Sequence, residues 1–314
     1  MNFAALLRSI PGGAAQGLIW GILSIGVFIT YKILDFADLT VDGSLATGGA
    51  GAAVSVAAGI HPLLAMLFAF LAGAAAGAVT ALLNTKLKIP AILSGILTMS
   101  ALYSVNFRIM KDSNTVAINR ADTYNGMFAK LFGLSAIDDK NLLSIISASI
   151  LIVAIIALLY WFFGTELGSS IRSTGCNISM SRAQGINTDF NKILGLMLSN
   201  GIVALAGALL AQYQGSADIN MGRGAIVIGL AAVIIGEAVF SRISRNFIVR
   251  LLGVICGGII YYIVYQTVIF FGLDTDLLKM LSALVVAFFL AVPYWKGKYI
   301  SSGRRKGDGG NAGA

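Results

Sequence analysis

The chain has 314 residues, of which 57% are hydrophobic and 11% charged, with a net charge of +8 and a mean hydropathy of +0.86. A soluble domain carries about 25% charged residues, and a spanning helix needs about 20 mainly apolar ones. The composition therefore excludes an ordinary soluble enzyme and predicts an all-α polytopic membrane protein. The basic residues gather at segment ends and in the tail, as membrane orientation demands, so nucleic acid is not an expected partner.

The 37 glycines and 4 prolines suit helices that approach one another closely. Cys176 falls in a polar loop and Cys256 in an apolar segment, so no disulfide is expected. The single histidine, His61, precedes Pro62 in a turn. No cluster of His, Cys and carboxylates has metal-ligand spacing, and no phosphate-binding glycine loop is present. Neither a metal nor a cofactor of its own is expected, and ATP hydrolysis is not expected of this chain.

Residues 1–13 read as an interfacial helix, apolar at Phe3, Leu6, Leu7 and Ile10 and stopped by Pro11-Gly12-Gly13. Residues 14–296 read as the membrane domain. Ala14–Tyr31 is the first span, expected to be retained and not cleaved as a leader. Ser44–Ile60 is short and rich in Gly and Ala, which predicts a broken or buried helix inside the bundle. Leu63–Leu83 is the third span, with Gly73 and Gly77 on a packing face, and Lys86 and Lys88 mark an inner turn after it. Ile89–Phe107 is the fourth span, Arg108 to Lys140 an outer loop and Leu142–Phe163 the fifth span. Residues 297–314 read as a basic, disordered inner tail.

The second half echoes the first. Asp38-Leu-Thr-Val-Asp-Gly-Ser compares with Asp218-Ile-Asn-Met-Gly-Arg-Gly, an offset of 180 positions (Asp38 to Asp218). The same offset pairs Gly21 with Gly201, Gly49 with Gly229, Gly73 with Gly253 and Gly77 with Gly257. Repeats over about 14–108 and 193–295, with one extra span between them, predict nine spans in two inverted units. Charge agrees: Lys86 and Lys88 fall inside, as do Arg242, Arg245, Arg250 and the tail Lys296–Lys306, while Asp274 and Asp276 fall outside.

Between two long apolar segments lies a polar loop, residues 165–192, carrying Arg172, Arg182 and Lys192. Its charge marks it as cytoplasmic. Ser169 or Ser170 can cap a short helix there, and Gly185 can end one. By its chemistry alone it is an ordinary loop as readily as a docking surface. Gly168, Ile171, Arg172, Asn177, Met180, Ala183, Gly185, Ile186 and Asn187 resemble the cytoplasmic coupling loop of bacterial ABC importer permeases for branched-chain amino acids and monosaccharides, and Arg182 is expected to take part in the coupling with them. The resemblance runs from about Gly17 to Pro293. The stretch at 34–46 is most similar to a subgroup associated with tryptophan, tyrosine or unassigned solutes. The resemblance implies a type II importer fold, like the cobalamin importer's core without its first helix. It also implies a separate cytoplasmic ATP-binding subunit that holds ATP and magnesium, an external solute-binding protein, and a homodimer in the bacterial cell membrane. In that family a short helix in this loop seats in a groove of the ATPase.

Several polar residues interrupt the apolar segments. Asp38, Thr40, Asp42 and Ser44 form one break and Asp218, Asn220 and Arg223 its counterpart. Intramembrane carboxylates are costly and usually face a cavity or partner, so these residues either shape a translocation path or cap the helices that follow. Ser94, Thr98 and Asn106 share a helical face and either line a path or bond neighbouring helices. Glu237 is expected to meet Arg242, Arg245 or a donor from the polar loop. Together these features predict a solute permease working by alternating access. An ion-coupled transporter, for which only Glu237 offers an acid, and a non-transporting scaffold are the alternatives.

Overall fold

The computed structural model describes residues 3–119, 123–131, 140–240 and 246–270, with isolated positions 280, 284 and 287. The sequence expectations for Arg242, Arg245, Asp274, Asp276, the last span and the basic tail lie outside the described residues. Among the described residues six helices are long and apolar enough to cross a membrane: Ile10–Ile33, Pro62–Thr85, Ala91–Ile109, Asn141–Gly164, Thr188–Gln214 and Phe247–Phe270.

α1 (Phe3–Phe28) runs on into a π-helical turn, Ile29–Ile33. The expected stop at Pro11-Gly12-Gly13 is not there, because the helix passes straight through it. Proline removes one helical hydrogen bond, but Gly12 and Gly13 lie against Asn141 and Gln266. A Cβ on Gly12 would sit at ordinary packing distance from its neighbour and one on Gly13 only slightly closer, and the helix continues through both. The described residues 3–13 are therefore the first turns of α1 and not a separate element.

α2 (Thr40–Ala57) is the Gly/Ala segment, and it is buried in the bundle for most of its length. It is not among the helices apolar enough to face lipid. The Thr40 hydroxyl is 2.7 Å from that of Thr80, inside the span of α3 (Pro62–Thr85), so α2 starts within the bundle and not at its surface. A Cβ on Gly48 would collide with the backbone of Ala204, and one on Gly207 with the backbone of Leu45. Backbones this close are the usual outcome of small residues on facing membrane helices.

α4 (Ala91–Ile109) crosses back, and a short helix α5 (Tyr124–Leu131) precedes the span α6 (Lys140–Gly164). The polar loop folds into α7 (Glu166–Cys176) and α8 (Ile178–Ala183). α9 (Thr188–Gln214) is the central helix, buried along most of its length. α10 (Ala225–Phe240) is apolar but short, and α11 (Phe247–Phe270) closes the described bundle. One feature departs from an all-helical expectation. β1 (Thr115–Ala117) pairs antiparallel with β2 (Ser216–Asp218), Thr115 opposite Asp218, at the end away from the polar loop.

Cross-links fix which end is which. At the loop end Lys32 meets Glu237, Lys88 meets Asp189, and Gly175 of α7 lies on the backbone of Ile33. At the other end Tyr213 bonds Asn141 and the β-ribbon forms. α1 and α3 thus run toward the loop end, α9 and α11 away from it. α2 climbs from the interior away from the loop end, and α10 descends toward it. α2 and α3 pack on α9, while α10 and α11 pack on α1.

Candidate docking loop and translocation core

The polar loop is built by three side-chain caps in succession. Thr165 Oγ1 accepts from Gly168 N at the start of α7 (3.3 Å), Asn177 Oδ1 from Met180 N at the start of α8 (3.0 Å), and Asn187 Oδ1 from Phe190 N at the start of α9 (3.1 Å). Each satisfies a donor that a helix start leaves orphaned. Ser169 and Ser170 are not caps, since both lie inside α7 and Ser170 donates to Leu167 O. Gly185 has φ +80°, the left-handed conformation expected for it after α8.

The loop residues divide by direction. Arg172 turns back on the bundle, donating to Phe163 O and lying 5.9 Å and 5.7 Å from the ring centres of Phe163 and Phe247. Arg182 is tied to α9 through Thr188 (2.8 Å) and Asp189 (3.2 Å). Gly168 packs against the backbone of Phe162 and Phe163, where a side chain would collide. Ile178, Met180 and Phe190 project, and Met180 is 60% exposed. Asn177, Ala183 and Gly185 lie on the exposed surface beside them. The arginines, glycines and caps hold the loop in shape, and the apolar side chains form its free face.

Within the bundle Asp38 is 2% exposed. Its Oδ1 accepts from Thr40 N (2.9 Å) and its Oδ2 from Asn200 Nδ2 (2.7 Å). Ser44 donates to Asn200 Oδ1 (2.7 Å), and Asn200 Nδ2 also reaches Leu196 O (3.1 Å). This network pins the start of α2 to the middle of α9. Sequence reasoning found Asp38, Thr40 and Ser44 but missed Asn200, which is fully buried in an apolar run. A lone amide amid 16 residues of mostly Leu, Gly and Ala was the available signal (Ile193–Ala208).

Asp218 behaves partly as expected. Its Oδ1 accepts from Asn220 N (2.7 Å), the same two-residue pattern that Asp38 makes with Thr40. It does not cap α10. That is done from α2 by Asp42, whose Oδ2 accepts from Gly224 N and Oδ1 from Ile226 N, both 2.9 Å. The chain turns into α10 through Gly224, at φ +85°, too far along for Asp218 to reach. Gly222 lets the turn lie directly on the backbone of Asp42.

Glu237 binds Lys32 and Arg250, each at 3.0 Å, and not a donor from the polar loop. The π-helical turn after α1 brings Lys32 round to it, a geometry no linear pattern discloses. Ser94, Thr98 and Asn106 are all buried and share a face, as their spacing predicts. Ser94 and Thr98 spend their hydroxyls on their own helix, bonding Ala91 O and Ser94 O. Asn106 donates weakly to Gly43 O (3.5 Å).

Beside this face is a cavity of about 310 Å³ between α2, α4 and the turn before α10. Asp42, Gly43 and Ala46 line it from α2, Met99, Ser100, Tyr103 and Asn106 from α4, and Ile219, Gly222 and Arg223 from the turn.

A family described as the branched-chain amino acid transport system / permease component matches residues 9–290. A tyrosine transport system permease protein of Clostridioides difficile (strain R20291) is 40% identical over 277 residues, 88% of this chain and 88% of its own. An inner membrane ABC transporter permease protein of Escherichia coli (strain K12) is 28% identical over 83% of this chain and 79% of its own. The ribose import permease protein of the same organism is 28% identical over 76% of this chain and 71% of its own. No solved structure matches the chain. With a membrane-spanning helical bundle, a structured polar loop and a family match over most of its length, the chain belongs to the permease components of branched-chain amino acid type ABC transport systems.

Proposed function

We propose that this permease imports an amino-acid-like solute with an aromatic side chain, as a homodimer in the bacterial cell membrane. As a permease component it is a transport subunit and not an enzyme. A system of this kind implies a separate ATP-binding subunit, which would hold ATP and magnesium, and a solute-binding protein. The observation that carries the solute class is the 40% identity to the tyrosine permease across 88% of both chains.

The polar loop serves as the coupling surface. Ile178, Met180 and Phe190 stand exposed on a loop whose arginines are tied back to the bundle and to α9. Lys32, Lys86, Lys88, Arg172 and Arg182 at that end support a cytoplasmic assignment. Nine spans in two inverted units accommodate the helix directions. α1 and α9, α2 and α10, and α3 and α11 are the pairs at the sequence offset, and each pair runs in opposite senses. Their packing partners also exchange, α3 with α9 and α11 with α1. Alternating access then amounts to one unit moving against the other around the starts of the short helices. Glu237, the acid on which an ion-coupled alternative was based, is paired with Lys32 and Arg250.

The test is reconstitution in proteoliposomes with the ATP-binding and solute-binding partners. ATP-dependent uptake of labelled L-tyrosine, with no uptake of D-ribose, is the expected result. ATP turnover with no uptake of either solute would refute the import reading.

A further inference from the structure

The cavity between α2, α4 and the turn before α10 has chemistry that points to one class of occupant. Its 310 Å³ falls at the lower end of the roughly 300–1,000 Å³ of small-molecule sites. Asn106, 1% exposed, lines it, and its Oδ1 has no hydrogen-bond partner. Buried polar atoms nearly always have a partner, so an unpaired one beside a cavity calls for a donor from outside the protein.

The lining also carries two opposite charges. Asp42 and Arg223 both face the cavity, and among the described residues neither makes an ion pair with the other or with any third group. Asp42 accepts two backbone N–H groups, but a carboxylate offers about four acceptor positions, so it retains capacity for a further donor. Met99 and Tyr103 add apolar and aromatic surface to the lining.

We propose that this cavity binds an α-amino acid as its zwitterion. Asp42 and Asn106 Oδ1 take the ammonium, Arg223 takes the carboxylate, and Met99 and Tyr103 flank the side chain. A guanidinium suits a carboxylate through paired N–H donors. A neutral sugar offers nothing of charge to either pole. The assignment rests on the import function above and adds the site and the head-group chemistry.

The experiment uses the permease alone in nanodiscs. Ser100→Cys places a thiol on the cavity wall, and the exposed Cys176 on the polar loop serves as internal reference. Labelling by N-ethylmaleimide is followed peptide by peptide in the presence of L-tyrosine, L-tyrosinamide or D-ribose. With L-tyrosine about ten times above its dissociation constant, labelling at position 100 should slow roughly tenfold, while Cys176 is unaffected. L-Tyrosinamide, which lacks the carboxylate, should protect far less, and D-ribose not at all. Adding Arg223→Gln should bring L-tyrosine down to the level of the amide. No labelling at position 100, no protection by L-tyrosine, equal protection by D-ribose, or protection indifferent to Arg223→Gln would each overturn the site. Failure of the import reading is separate, because it appears as absent ATP-driven uptake in the full transporter whatever the protection pattern.

Discussion

α2 and α10 both begin inside the bundle and run to opposite ends of it, yet their first turns are held in different ways. The start of α2 is fixed by a buried network on its own side: Asp38, Thr40 and Ser44 with Asn200 of α9. The start of α10 is fixed from outside itself, by the carboxylate of Asp42 on α2. Its sequence counterpart of Asp38, Asp218, bonds only its local turn. α10 therefore depends on α2, while α2 depends on α9. A displacement of α2 against α9 would carry the cap of α10 with it, which is a direct physical link between the two halves of the bundle.

The largest expected effect comes from breaking the α2 network. Asn200→Leu removes the donor to Asp38 and the acceptor of Ser44, leaving both buried. Hydrogen bonds to charged groups are worth about 1.5–3 kcal/mol each, so a loss of about 2–3 kcal/mol is expected. The readout is a lowered unfolding midpoint in detergent and less folded protein in the membrane. A midpoint equal to that of the unchanged protein would mean that this network does not hold α2 in place.

How much of this was legible in the sequence follows from the kind of interaction. The spans at Leu63–Leu83, Ile89–Phe107 and Leu142–Phe163 were readable because lipid imposes a length and an apolarity on each helix. The buried character of Ser44–Ile60 was readable because Gly and Ala cannot profitably face lipid. Gly185 was readable because a left-handed turn favours glycine. The break assigned to Pro11 was misread, since α1 continues through the proline and the two glycines. Partners distant in sequence were not readable. Lys32 with Glu237, Asp42 with Gly224 and Asp38 with Asn200 are each more than 160 positions apart, and local patterns carry no information at that range.

The next effect in size tests the link itself. Asp42→Ala removes both bonds to the start of α10, and loss of a cap costs about 0.5–2 kcal/mol. The expected outcome is protein still folded in the membrane, with faster hydrogen exchange at the amides of Gly224 and Ile226 and unchanged exchange within α2. Faster exchange throughout α2 would reverse the direction of dependence between the two helices.

A smaller effect is expected at the polar loop, where a cap acts within six residues and no second helix relies on it. Asn177→Ala should cost about 1 kcal/mol of local order in α8. It should weaken association with the ATP-binding partner severalfold while leaving the bundle's unfolding midpoint in place. Unchanged affinity would show that the free face of Ile178 and Met180 does not need a preformed helix.

The smallest effect is expected at Asp218, and it sharpens the comparison most because sequence alone makes this residue the equal of Asp38. Both accept from the backbone N–H two residues on, at 2.9 Å and 2.7 Å. The surroundings differ. Asp38 is buried with a second bond from Asn200, whereas the Asp218 bond is exposed and stands where water can replace it. Substitutions away from buried networks usually fall within about 0.5 kcal/mol of neutral. Asp218→Ala should therefore leave the unfolding midpoint nearly unchanged, and Asp218→Asn should match it. At Asp38 the two substitutions should separate. Asparagine there keeps an acceptor for Thr40 N, but it presents an N–H to Asn200, so that amide must turn over and give up its bond to Leu196 O. Asp38→Asn should then lie between the unchanged protein and Asp38→Ala. If Asp218→Ala proves as destabilising as Asp38→Ala, the burial of the α2 network is not what separates the two starts, and the equivalence read from sequence is the better guide.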